Sequence, residues 1–204
     1  MKILVTGFEP FRDLQDSNAS WEAVRLLPDR IGEAAVVKAC LPVAFGRAEE
    51  AIQELLAGHQ PDIYLAAGQS GRISALEFER IGVNVDCVPE GDNDGEIRVD
   101  TPIVAGGPDG FFSNLPVRAM MEASRAAGVP AVLSGTAGSH LCNHTLYYAR
   151  HLGATQYPGL RSGFVHVPFA PGQCLTPAYG GKPMMPSDVA ARGIAAALEA
   201  ALRL

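Results

Sequence analysis

Buried strands and helices alternate along this chain of 204 residues, and that alternation limits the folds open to it. Short apolar segments predict strands at 2–6, 34–43, 62–67, 131–134 and 162–168. Helical periodicity predicts helices at 20–27, 48–58, 113–128 and 141–152, and a last helix that Ser187 caps. Strands that alternate with helices form a mainly parallel sheet covered on both faces. We therefore predict one three-layer α/β/α domain over residues 1–204.

The middle of the chain is expected to make the sheet mixed. Residues 76–86 read as one strand, and the Gly-, Pro- and Asp-rich residues 88–112 read as a long loop or hairpin that adds an antiparallel piece. From Glu90 to Gly95 this segment resembles half of a calcium loop. Thr101 stands where such a loop needs its bidentate Glu, so we do not predict a calcium site.

Composition and charge exclude several functional classes. Hydrophobic residues make up 48% and charged residues 19% of the chain, which is typical of a globular protein. The net charge of −6, without clustered Lys and Arg, argues against binding nucleic acid. No apolar run reaches membrane-spanning length, and the N-terminus lacks the apolar segment of a signal peptide. We expect a cytoplasmic protein with no membrane partner, whose four cysteines are reduced.

A loop of small residues at 134–140 leads into the helix that carries Cys142. Unpaired N–H groups and the helix dipole favour an anion in the first turn of a helix, so this position favours a thiolate. The opposing interpretation is that Cys142, Leu146 and Ala149 form an apolar stripe facing the core. The loop alone does not decide between a nucleophile and a core residue.

A cysteine nucleophile needs a histidine, and position along the chain favours His166. It lies near the C-terminal end of a predicted strand, the edge where open α/β sheets bind ligands. His144 lies on another face of the Cys142 helix, and His151 and His59 lie too far along the chain. His140 belongs to the same tight loop and is expected at the rim of the site.

A carboxylate on an apolar strand face completes the set. Glu79 shares its face with Ile81 and Val83, and a charge placed there should be paired or functional. Glu77 is expected just outside the strand. A surface ion pair between Glu79 and Arg80 is the alternative that the sequence leaves open. Cys142, His166 and Glu79 are thus the predicted nucleophile, base and orienting carboxylate.

Two segments of the sequence favour functions other than that of a cysteine hydrolase. Ser70 lies in a segment resembling a nucleophile elbow, but Arg72 stands in place of its last glycine. A Gly-rich entry to a helix also suits phosphate or nucleotide binding, although no G-K-[ST] motif is present. Nothing in the sequence has the spacing of a metal site, and no cofactor is expected. Phe8 and Phe11 either cap the edge of the core or line an apolar pocket.

Taken together, the motifs resemble those of the pyroglutamyl peptidase I (pyrrolidone-carboxylate peptidase) family of cysteine peptidases. The resemblance covers nearly the whole chain. Its motifs lie at 5–11, 68–71, 79–86, 136–138, 142–144 and 163–168.

The resemblance implies a phosphorylase/hydrolase-like fold and a function as an omega-peptidase that removes N-terminal pyroglutamate (5-oxoproline) from peptides. It places Glu79, Cys142 and His166 on the catalytic positions of the family. Its pocket positions, which hold the lactam ring or lie near it, fall on Phe8, Phe11, Gln69 and Leu141. The family often forms tetramers, so a homo-oligomer is expected.

The chain departs from the usual family pattern at three places. Pro89 replaces an Arg, Gly91 replaces a Pro, and Ala19 replaces the Pro of an Asn-Pro-Ser/Thr segment. These changes are expected to affect the rim of the site and its rate, more than the reaction.

Overall fold

A computed structural model describes residues 1–12 and 17–203, and its strands are two to eight residues long. The strands are β1 (Lys2–Phe8), β2 (Arg30–Ile31), β3 (Ala34–Leu41), β4 (Ile63–Gln69), β5 (Leu76–Glu79), β6 (Ile81–Val83), β7 (Asp86–Val88), β8 (Arg98–Thr101), β9 (Gly110–Phe112), β10 (Ala131–Ser134) and β11 (Arg161–Val167). The α-helices are α1 (Ala19–Val24), α2 (Phe45–His59), α3 (Val117–Ala126), α4 (Leu141–Thr155) and α5 (Ser187–Leu202).

The central sheet is mostly parallel. Within the described ranges it has seven strands in the order β10-β5-β11-β4-β1-β3-β2. The pairs β5/β11 and β2/β3 are antiparallel, and the other neighbours are parallel. Two antiparallel pairs, β6/β9 and β7/β8, lie outside this sheet. The prediction of a mixed, mainly parallel sheet is confirmed.

Helices cover both faces of the sheet, because side chains alternate along each strand. Ile3 and Val5 of β1 pack with α1, α3 and α5 in one core cluster. Leu4 and Phe8 pack with α2 and α4 in a second cluster. The three predicted layers are therefore present. Among the described residues, no helix has the length and apolar character needed to cross a membrane.

The predicted strand at 76–86 is wrong as a single element. It breaks at Arg80 into β5, β6 and β7, which belong to three different sheets. Only β5 joins the central sheet. Asp86 is fully buried and pairs with Arg98 and His144. Glu77 lies within β5, not outside it.

Several helix boundaries also differ from the sequence prediction, by one to four residues. The helix predicted at 113–128 begins only at Val117, and α4 continues through Gly153 to Thr155. Gly153 does not stop α4 because its neighbours hold the last turn, where Gln156 donates to the carbonyl of Leu152. Ser187 is the first residue of α5, with Pro186 in the capping position.

The segment that resembles half of a calcium loop has a structural role. Asp92 is buried, and its Oδ2 accepts from the backbone N–H of Phe45 at the start of α2. Its Oδ1 accepts from the N–H groups of Asp94 and Glu96. Asp92 therefore caps a helix and closes its own turn.

Gly193 on α5 provides a test of the packing beneath the sheet. A Cβ at Gly193 would lie 2.6 Å from Leu76 and 2.8 Å from Val129, both of which are buried, whereas one at Gly58 in α2 would meet nothing within 4 Å. Gly193→Ala should lower the free energy of unfolding by about 1–3 kcal/mol. Gly58→Ala should raise it by roughly 0.5–1 kcal/mol. Urea titration followed by circular dichroism measures both, and equal effects would contradict this packing.

Candidate active site

Three elements bring Cys142, His166 and Glu79 together. Cys142 is the second residue of α4, His166 is the penultimate residue of β11, and Glu79 ends β5. His166 Nδ1 donates to Glu79 Oε1 at 2.7 Å, and the Cys142 sulfur interacts electrostatically with the same imidazole. Glu79 is fully buried and His166 is 8% exposed. A surface ion pair between Glu79 and Arg80 is therefore excluded.

The sulfur of Cys142 fits against a glycine. A Cβ at Gly68 in β4 would lie 2.9 Å from the sulfur and 2.7 Å from the Phe164 ring. Gly68 is paired with His166 in the parallel register of β4 and β11. The missing side chain at this position leaves the space that the sulfur occupies.

Electrostatics favour a protonated His166. Burial disfavours the imidazolium of His166, but the Cys142 sulfur and Glu79 outweigh it and raise the pKa of His166 to about 10. The imidazole is thus protonated at neutral pH and lies beside the Cys142 sulfur.

A pocket of about 270 Å³ opens next to the sulfur. Its lining is mainly apolar, with a few polar side chains: Phe8, Phe11, Asn18, Val43, Gln69, Gly71, His140, Leu141, Cys142 and Phe169. All four predicted pocket residues are present. Phe8 is also buried in the core, so both interpretations of that aromatic hold.

The polar wall of the pocket is held by hydrogen bonds. Gln69 Oε1 accepts from the backbone of Ala19 and from the amide of Gln173. Asn18 Oδ1 accepts from the N–H and hydroxyl of Ser20, and its Nδ2 donates to the carbonyl of Glu9. These bonds fix the start of α1 against the ends of β1 and β4.

The start of α4 is tied to the rest of the fold. The Asn143 side chain accepts from the N–H of Val83 and donates to the carbonyls of Val83 and Val85. His140 caps the helix, and its Nδ1 accepts from the N–H of Leu141. Burial lowers the pKa of His140, which suits a neutral ring that accepts this bond. The N–H groups of Cys142 and Asn143 have no helical carbonyl to bind.

His144 belongs to a separate buried network. Its Nδ1 lies 2.9 Å from Asp86 and its Nε2 lies 3.2 Å from Glu49. Burial opposes its charge, yet both carboxylates raise the pKa of His144. Arg98 bonds to Asp86 and stacks on the Phe45 ring. His144 therefore braces α4 against α2 and the β7/β8 pair, away from the sulfur.

The serine alternative lacks the matching geometry. Ser70 follows β4, and its N–H donates to the carbonyl of Val167. Among the described residues, no histidine bonds to its hydroxyl. The part of the chain that the structure describes also holds no cluster of three or more His, Cys, Asp or Glu placed to bind a metal ion.

Sequence reasoning missed two features of the site. Phe169 lines the pocket just after β11, at a position that no sequence motif singled out. Gly68 had a usable signal, because a glycine in a buried strand indicates a close approach by another group.

The loop that departs from the family pattern has its own geometry. Gly91 has φ of 77°, a value that favours glycine and that a proline ring forbids. The Arg12 guanidinium donates to the carbonyl of Gly91 at 2.6 Å and also to that of Glu90. The loop beside Pro89 is thus held by backbone carbonyls and one arginine.

Known proteins match this chain along its whole length. The profile of the family described as Pyroglutamyl peptidase matches residues 1–204. The chain belongs to the pyroglutamyl peptidase family.

Individual relatives match over nearly their full length. The pyrrolidone-carboxylate peptidase of Levilactobacillus brevis is 42% identical over 98% of this chain and 97% of its own. The one from Staphylococcus haemolyticus is 43% identical over 98% and 93%. The crystal structure of pyroglutamyl peptidase I from Bacillus amyloliquefaciens aligns with a TM-score of 0.94 at 33% identity, covering 100% of this chain and 97% of that one.

Labelling of the cysteines tests the electrostatics of the site. Cys40 is the exposed cysteine, so accessibility alone predicts that it reacts first. Burial of its sulfur and the charge of Glu9 raise the pKa of Cys40 to about 11, so about one molecule in ten thousand holds its thiolate at pH 7. Cys142 should therefore be alkylated by iodoacetamide about tenfold or more faster than Cys40.

Peptide mapping by mass spectrometry at short labelling times measures both rates in one sample. His166→Asn should slow Cys142 selectively and leave Cys40 unchanged. Faster labelling of Cys40 than of Cys142 in the wild-type chain would show that the His166 imidazolium does not activate the Cys142 sulfur.

Proposed function

We propose that this chain is a cysteine peptidase that removes N-terminal pyroglutamate from peptides, with Cys142 as nucleophile, His166 as acid and base, and Glu79 as orienting carboxylate. The observation that carries the proposal is the buried His166–Glu79 hydrogen bond, with the Cys142 sulfur beside the same imidazole and an apolar pocket next to it. The printed names of the relatives supply the substrate class.

The pocket suits a neutral lactam. The 5-oxoproline ring has no ammonium group, so it needs apolar contact and a few hydrogen bonds in place of an acidic partner. We assign ring contact to Phe8 and Phe11, with Gln69 and Leu141 bordering the ring. The hydrogen bonds of Gln69 to Ala19 and Gln173 hold that wall in place before substrate arrives.

In the first half-reaction, the Cys142 thiolate attacks the pyroglutamyl carbonyl carbon. The carbonyl oxygen becomes an oxyanion, and the free N–H groups at the start of α4 stabilise it. The His166 imidazolium then gives its proton to the amide nitrogen as the C–N bond breaks. The peptide leaves as an amine, and the pyroglutamyl group remains on the sulfur as a thioester.

In the second half-reaction, the now neutral His166 takes a proton from water, and the water oxygen attacks the thioester carbon. Collapse of this intermediate releases 5-oxoproline and restores the thiolate and imidazolium. Glu79 keeps the proton on Nδ1 throughout, so Nε2 always faces the reacting atoms.

The remaining parts of the proposal concern the whole molecule. We propose one catalytic domain over residues 1–204 that acts in the cytoplasm without a cofactor and assembles as a homo-oligomer, a tetramer by family resemblance. Exposed apolar side chains support assembly, since Leu175 is 87% and Phe112 is 66% exposed.

Substitution of the nucleophile tests the reaction. Cys142→Ser should lower kcat/KM on a pyroglutamyl arylamide by at least about a thousandfold, because the hydroxyl is not ionised by His166. Ser70→Ala should keep wild-type activity. A prolyl arylamide should not be hydrolysed, iodoacetamide should inactivate, and EDTA should not. Full activity in Cys142→Ser would disprove the assignment.

The pH profile tests the role of Glu79. Its negative charge raises the pKa of His166, so Glu79→Gln should lower that pKa. In this variant the His166 imidazolium, which is the general acid, should lose its proton at a lower pH. The alkaline limb of kcat/KM should therefore shift to lower pH, and the maximal rate should fall by roughly 10²–10⁴-fold. Initial rates between pH 5 and 11 measure the shift. An unmoved limb would show that Glu79 does not act on His166.

A further inference from the structure

Glu77 lies beside the catalytic histidine but has no part in the mechanism above. It is paired with His166 in the antiparallel register of β5 and β11. Residues directly opposite in such a pair project to the same face, with Cβ atoms about 4.5–5.5 Å apart. Glu77 and Glu79 also share a face, since they lie two residues apart in one strand. Glu79 is fully buried, whereas Glu77 is half-buried and reaches solvent.

The strand order places Glu77 on the leaving-group side of the sulfur. Phe8 and Gln69 end β1 and β4, so the pocket lies over those two strands. Gly68 in β4 and His166 in β11 flank the Cys142 sulfur. β5 is the next strand beyond β11. A peptide whose lactam ring occupies the pocket must extend past His166, which protonates the nitrogen of the amide that is cleaved. The peptide then continues over β5.

The Glu77 carboxylate interacts electrostatically with the Glu79 carboxylate and the His166 imidazolium. Among the described residues it makes no ion pair or hydrogen bond, and Arg72 and Arg80, the nearest cations in sequence, do not contact it. Burial and the charge of Glu79 raise the pKa of Glu77, and His166 opposes this effect. A cation supplied by the substrate would relieve this unfavourable environment.

We propose that Glu77 determines specificity by favouring substrates with lysine or arginine directly after pyroglutamate, an inference that rests on the proposed function. The cationic side chain of that residue lies over β5 and pairs with the Glu77 carboxylate. Because the site is open to solvent, the preference should be about two- to fivefold in kcat/KM and should shrink as salt is added.

Three blocked dipeptides test this preference. The substrates are pyroglutamyl-Lys, -Gln and -Glu amides, which differ in charge at one position and carry no terminal carboxylate. For the wild-type chain, kcat/KM should fall in the order Lys, Gln, Glu. Rates are divided by the rate on the Gln substrate for each variant, so any general loss of activity cancels.

Glu77→Gln should abolish the Lys preference, and Glu77→Lys should reverse the order. Glu54→Gln, a change at an exposed carboxylate on α2, should keep the wild-type order. If the wild-type chain shows no such order of kcat/KM, or if both Glu77 variants keep it, the inference is wrong. The proposed function stands in either case. Failure to hydrolyse any pyroglutamyl substrate overturns the proposed function and this inference with it.

Discussion

The hydrogen bond between Glu79 and His166 is the interaction on which the site depends. A fully buried carboxylate is costly unless a cation or several donors satisfy it. Here the partner is the His166 imidazolium, and the Cys142 sulfur lies beside the same ring. The group that satisfies the buried carboxylate is thus also the group that borders the sulfur.

The sheet topology makes this contact possible. If β5 ran parallel to β11, the carboxyl ends of both strands would lie at the edge of the sheet where the pocket opens. The last residue of β5 would then lie at that edge. β5 runs antiparallel to β11, so its last residue, Glu79, lies opposite Phe164 in the interior. The carboxylate thus approaches His166 from the buried side and leaves the outer side of the imidazole for the sulfur and the substrate.

Periodicity predicted much of the fold, because most strands and helices bury one face or one stripe. It failed between 76 and 86, where alternation continues through Arg80 while the backbone leaves the sheet to form β6 and β7. Those strands pair with β9 and β8, which lie outside the segment, and the periodicity within the segment does not encode such pairing. Gly153 shows the same limit, since tertiary packing carries α4 past a residue that usually ends helices.

The site was predictable to a similar extent. A cysteine at a helix start, a histidine at a strand end and a carboxylate on an apolar face each carry a signal that chemistry explains. The positions of Phe169 and Glu77 depend on how the loop after β11 folds and on which way β5 runs. Family resemblance supplied the substrate class, which the triad alone leaves undefined.

The contact between the Cys142 sulfur and Gly68 also has a stereochemical consequence. β4 closes one side of the sulfur, His166 lies on another, and α4 itself lies behind it, so the pocket is the open direction. Any group bonded to the sulfur must project that way. The backbone of one strand thereby restricts the directions from which a carbonyl carbon can approach the sulfur.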